Sequence, residues 1–231
     1  VASDVNARAM YEDEDGLIWV AMPNAGLFTL EPVPDENRLE RYQLREVAGT
    51  VGMGMRCICR SADGRMWVGS GGYGLLEIDP ASKQVVQTIT HLPGNSLTPP
   101  ENYLVSCLTD TRGNIWFGTW NEGVTVFDPV KEEFTTYRPV AEDSTSISGT
   151  YVIPIVEDDA GGIWLGTIGN GLNYFPPGGE GFIRYQNRPD DENSLSLDRV
   201  VSLAVHPDQT VWIGTQLSLI HISEPTRPRS I

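Results

Sequence analysis

Chemistry that could make or break bonds is sparse in this chain. The three histidines are His91, His206 and His221. No Gly-x-Ser-x-Gly elbow accompanies them, and they support no serine–histidine–aspartate triad. Cys57, Cys59 and Cys107 lack zinc-ligand spacing. Cys57 and Cys59 are two apart in a strand-like run, so they share a face and do not bond each other. All three read as small core residues. The run Glu12-Asp13-Glu14-Asp15-Gly16 invites a calcium reading. It lacks the spaced oxygen ligands and closing glutamate of a calcium loop, and reads as a solvated hairpin turn, as does Asp158-Asp159. No glycine-rich phosphate cradle with a lysine is present. No catalytic residue, metal ligand or cofactor is assigned.

Recognition chemistry is better represented. Trp120 stands beside Asn121 and Glu122. An aromatic plate flanked by an amide and a carboxylate suits the apolar face and the hydroxyls of a sugar. Tyr73 and Asn170 fall in corresponding loops, and Tyr103, Tyr151 and Arg199 each precede a strand. Tyrosine and arginine anchor polar ligands well. The alternative use of the same residues is structural: Trp120 packing on a neighbouring repeat, the others bonding between repeats.

The elements that must position these residues follow from a repeat. Trp19, Trp67, Trp116, Trp164 and Trp212 are spaced by 48, 49, 48 and 48 residues. Two residues after each comes Ala21, Gly69, Gly118, Gly166 or Gly214. Further on stand Gly26, Gly74, Gly123 and Gly171, then Pro32, Pro80, Pro129 and Pro177. These landmarks cut each unit into strands A to D. In the third unit the strands are expected at Leu104–Thr109, Ile115–Thr119, Val124–Phe127 and Glu133–Tyr137, with proline ending strand C. Four antiparallel strands repeated at about 48 residues predict an all-β fold, a β-propeller of four-stranded blades. The repeating tryptophans, with Ile58, Cys107, Ile155 and Leu203, are expected in the layers between blades. Ligands of a propeller bind at loops on one face, here the B–C and D–A loops.

The motif Asp-x-x-Gly-x-Ile-Trp-x-Gly-Thr, then Gly-Leu, then Asp-Pro, resembles the two-component regulator propeller repeat. Asp110–Thr119 and Asp158–Thr167 carry it most fully, and the resemblance spans Val1 to Gln216. Departures are Ala21-Met22 in the first repeat, Ser61 in the second, and His206 and Gln209 in the fifth. The resemblance implies a non-catalytic, periplasmic sensor module of a histidine-kinase system, binding a small molecule or oligosaccharide, in a membrane-anchored, dimeric parent. The alternatives are a propeller lyase or glycoside hydrolase, or a passive protein-interaction scaffold. Ser61–Trp67 is partly like the Asp box of sialidase-type propellers but one residue short, and a streptogramin-lyase-like propeller is another relative by motif.

Charge narrows the partners. The 231 residues hold 31 acidic and 16 basic side chains, a net charge of −15. Such a surface repels nucleic-acid phosphates and anionic membranes. The landmarks stop after Gln216. Leu217–Arg227 resembles the translation of a sequencing adapter, so residues 217–231 are expected to lie outside the fold. Without Arg227, Arg229 and Glu224 the count is 14 basic and 30 acidic. Residues 1–216 then amount to about four and a half blades of a propeller that in this family usually has seven. Such an open arc is expected to associate through its uncovered edges.

Overall fold

The computed structural model describes residues 6–33, 41–216 and 219–223. Its regular elements are all strands, in five antiparallel sheets. The first sheet holds β1 (Ala9–Glu12), β2 (Ile18–Met22), β3 (Gly26–Val33) and β4 (Arg41–Glu46); the second holds β5 (Met55–Arg60), β6 (Met66–Ser70), β7 (Leu75–Asp79) and β8 (Gln84–Ile89). The third has β9 (Leu104–Thr109), β10 (Ile115–Thr119), β11 (Val124–Asp128) and β12 (Glu133–Tyr137); the fourth has β13 (Val152–Glu157), β14 (Ile163–Thr167), β15 (Leu172–Phe175) and β16 (Ile183–Tyr185). The fifth has three strands, β17 (Val200–Val205), β18 (Thr210–Thr215) and β19 (Leu219–Ser223). Each sheet is an up-and-down meander in chain order, the build of a propeller blade.

The strands of the third repeat lie where the landmarks place them, with β11 one residue longer. The first repeat differs: β3 runs on through Pro32, which pairs with Tyr42. Pairing of β3 with β2 stops at Leu30, so beyond it β3 is an edge on that side and a missing N–H costs no ladder bond.

The chain forms two compact units, Val1–Phe117 with Val126–Thr135, and Gly118–Thr125 with Thr136–Ile231. In the first, one core cluster gathers Trp19, Leu27, Ile58, Val68 and Leu76. A second gathers Trp67, Cys57, Cys59, Leu104, Phe117 and Phe127, with Cys107 packed against it. Phe127 meets Trp67 edge-on at 4.8 Å. The three cysteines are free. Loss of solvation, then the neighbouring Cys57 and Cys59 thiols, push the Cys107 thiol well above its ordinary value. In the second unit the core gathers Trp164, Leu172, Leu195 and Val200, with Leu203 against it. Within each unit, layers between successive sheets therefore form where the alternation of strand residues requires them.

Trp212 departs from this rule, being 38% exposed. Among the described residues no sheet follows the fifth to cover this tryptophan. The segment expected to lie outside the fold also contributes a strand: β19 pairs with β18 from Thr210↔Ser223 to Gly214↔Leu219. An open edge offers backbone N–H and C=O groups to any strand-competent sequence.

Candidate functional site

The acidic turns prove to be structural. In the first, third and fourth repeats the leading aspartate holds the A–B hairpin and the tryptophan together. Asp110 Oδ1 accepts the backbone N–H groups of Arg112 (3.0 Å) and Asn114 (2.8 Å), while Oδ2 accepts the Trp116 indole N–H at 2.9 Å. Asp158 does the same for Ala160, Gly162 and Trp164, and Asp13 for Asp15, Leu17 and Trp19. A buried indole N–H needs an acceptor, and hydrogen bonds to a charged group contribute about 1.5–3 kcal/mol. In the second repeat Ser61 Oγ accepts the Trp67 indole at 3.1 Å and reaches Asp63 at 2.5 Å. The fifth repeat uses Asp208. Bonds from Thr210 and His206 hold its carboxyl down to about 2. Gln209, in place of the turn glycine, adopts φ +71°.

The recognition residues lie at the other end of the strands, on the B–C rim. The sequence leads one to expect the B–C tips and the D–A junctions on one face, without saying which tip meets which junction. The structure pairs them. Each junction meets the tip of the preceding repeat: Gly72 N bonds Asn102 O, Gly71 bridges to Tyr103, and Ile168 bridges to Arg199. The same arrangement stacks Trp120 on Tyr151, with ring centroids 4.3 Å apart and planes inclined at 33°. A local device missed by sequence reasoning orders the D–A loops. Thr98, Ser146 and Ser194 accept the backbone N–H of Leu92, Val140 and Arg188, six residues earlier. The buried Pro99, Ile147 and Leu195 anchor each loop one residue on. These hydroxyls recur at a period of 48, which is the signal that could have found them.

The second unit holds six of the eight predicted residues. Trp120 keeps 43% of its surface exposed although it packs on Tyr151, so packing and presentation coexist. Glu122 receives the Thr119 hydroxyl oxygen on its backbone N–H at 2.9 Å, and its carboxylate pairs with Arg138. Asn121 is exposed between them. Asn170 is exposed at the next tip, its amide lying on Gly149, and Arg199 is exposed beside Ile168. In the first unit Tyr73 and Tyr103 are 45% and 44% exposed, and the Tyr103 ring lies over Gly72. The tips are held closed by glycine: a Cβ on Gly123 would meet Tyr137 O at 2.4 Å, at φ +84°. At the opposite rim of the first unit, a cleft of about 400 Å³ lies among the turns, lined by Asp63, Arg112, Asn114, Asp128 and Lys131. Its cations are already paired, Arg112 with Asp110 and Lys131 with Asp128. Among the described residues no group of histidine, cysteine or carboxylate side chains is placed to hold a metal.

The profile of the "two component regulator propeller" family matches residues 51–72 and 98–121, two copies of the tip-and-strand geometry just described. These two stretches match the two-component regulator propeller repeat. No curated protein matches it by sequence. Solved structures match the propeller repeats over nearly the whole chain. PorZ of Porphyromonas gingivalis, a surface component of the type-IX secretion system, is 18% identical with a TM-score of 0.68, over 96% of this chain and 32% of its own. Virginiamycin B lyase of Staphylococcus aureus is 14% identical with a TM-score of 0.64, over 97% and 72%. The extracellular domain of BT4673 from B. thetaiotaomicron, assigned to a one-component system, is 17% identical with a TM-score of 0.58, over 96% and 39%. The chain thus spans about two fifths of the BT4673 domain. At these identities the likeness shows the propeller fold.

Proposed function

We propose that this chain is a ligand-sensing propeller region of an extracytoplasmic two-component signalling protein, membrane-anchored and dimeric, that binds an oligosaccharide-like ligand without transforming it. One observation carries the ligand class: Trp120 presents a half-exposed indole on the B–C rim, backed by Tyr151 and flanked by Asn121 and the Glu122–Arg138 pair. A rigid aromatic plate with polar groups at its edge fits a pyranose face and its hydroxyls. The repeat family and the extracellular BT4673 domain support the sensor setting. Signalling then needs only a ligand that binds one state of the parent better than the other.

A lyase reading has one neighbour behind it, the virginiamycin B lyase, which is catalytically inactive once a single histidine is replaced by alanine. Here His91 and His206 serve the scaffold. His91 Nδ1 lies 2.8 Å from Pro99 O inside its D–A loop, and His206 pairs with Asp208 in a hairpin turn. These placements favour binding over catalysis.

The test titrates the chain with neutral oligosaccharides and follows indole fluorescence and heat. The expected outcome is saturable binding without product, weakened about tenfold by Trp120→Ala, the equivalent of losing one good aromatic contact. Binding unchanged by Trp120→Ala removes this residue from the site, and cleavage of the ligand overturns the non-catalytic reading.

A further inference from the structure

We propose that the B–C rim of the first unit selects an acidic saccharide, with Arg56 as the guanidinium that receives its carboxylate. The inference rests on the saccharide-binding reading above.

The position eleven residues before each repeating tryptophan holds Arg8, Arg56, Val105, Ile153 and Val201. In β5, Met55 pairs with Ser70 and Cys57 with Gly69, so Arg56 is the extra residue of a bulge. In β17, Val200 pairs with Thr215 and Ser202 with Gly214, which makes Val201 the extra residue of the same bulge. The bulge therefore accepts an apolar side chain, and the scaffold has no need of a cation there. Bulges re-aim side chains, and recur beside functional sites.

Arg56 is re-aimed onto the B–C tip. Its guanidinium lies so close over Gly71 that a Cβ there would come within 2.9 Å of Nε and 3.3 Å of Nη2. Arg56 Nε is buried and has no hydrogen-bond partner among the described residues. Nearby arginines are engaged: Arg60 with Glu14, Arg65 with Asp63 and Glu77, Arg112 with Asp110. In a chain with 31 carboxylate side chains, none among the described residues forms an ion pair with Arg56. A buried guanidinium N–H without an acceptor is costly, and the cost is recovered when an acceptor arrives. The Tyr103 ring lies over the adjoining Gly72 and Tyr73 follows it, both half-exposed. A planar guanidinium fork suits a carboxylate, and the phenols suit a sugar ring and its hydroxyls. An acidic saccharide combines the two.

The test uses the whole chain against immobilised oligogalacturonate, its uncharged methyl ester, and an oligoglutamate peptide. We expect retention on oligogalacturonate, weakened by about 10- to 100-fold for the methyl ester or for Arg56→Val, the loss expected when a charged hydrogen bond is removed. Valine already occupies the matching bulge in the fifth repeat, and circular dichroism checks that the variant folds. Arg56→Lys, which keeps the charge without the fork, should recover only part of the binding. No retention on oligogalacturonate, equal retention of the methyl ester or of oligoglutamate, or unchanged affinity in Arg56→Val overturns the proposal. The two readings fail separately. A chain that binds the methyl ester through Trp120 and is indifferent to Arg56 loses this inference alone; a chain that binds no saccharide loses both.

Discussion

At the scale of single residues, the carboxylate that opens the first, third and fourth hairpins and the indole six residues later act as one device. Asp158 is its most loaded example, because Tyr174 also reaches it. Burial first, then the Asp158 carboxylate, raise the Tyr174 phenol to about 12 from 10.0. A phenol raised in the fold contributes its stability in full below its ordinary pKa and loses it as pH rises through the folded value. Unfolding by urea should therefore become easier between pH 10.0 and about 12. The decline should be shallower in Tyr174→Phe, with tyrosinate absorbance following the same window. An equal decline in the variant would show that another group titrates there. Burial also raises Tyr185, so some slope remains after the substitution.

At the scale of elements, the B–C tips explain why glycine recurs seven residues after the tryptophan. Gly123 sits at φ +84° with Tyr137 O where a Cβ would be, whereas Gly113 sits at φ +87° with nothing within 4 Å. Alanine at Gly113 meets only the left-handed backbone penalty, about 1–2 kcal/mol. Alanine at Gly123 meets that and a backbone collision, and should cost at least about 3 kcal/mol with its tip displaced. Denaturant midpoints of the two variants test the difference, and equal midpoints would mean that the tip yields freely. Strands, turns and these glycines were legible in the sequence because each depends on local backbone conformation, which repeats every 48 residues. The internal order of the D–A loops was not legible from strand patterning, since a hydroxyl bonding six residues back leaves no alternation to detect. The bulge at Arg56 was illegible for a similar reason: it is a property of the pairing between β5 and β6.

At the scale of the whole molecule, stability comes from layers between successive sheets, so a sheet layered on one face should open first. Within the second unit, the fifth sheet has three strands and a tryptophan 38% exposed, while β14 is buried along its length. Amide exchange in β17 and β18 should outpace that in β14 and β15 by about tenfold or more, a difference of a little over 1 kcal/mol in local opening. Equal protection in both sheets would point instead to one cooperative transition of the unit.

The sequence by itself determined the repeat, the four-strand grammar of each sheet, the buried tryptophan layers and the loops that carry exposed aromatic residues. All of these follow from turn chemistry and from the two-residue alternation of strands, which act over short distances. Tertiary structure decided which loops meet. It set Trp120 on Tyr151 and Tyr103 over Gly72, made Asp110 an indole acceptor, and left Arg56 Nε buried with no hydrogen-bond partner among the described residues. Those outcomes depend on the register of one strand against the next and on one repeat packing on another. Contacts of that kind join residues far apart in the chain, and no local pattern encodes them.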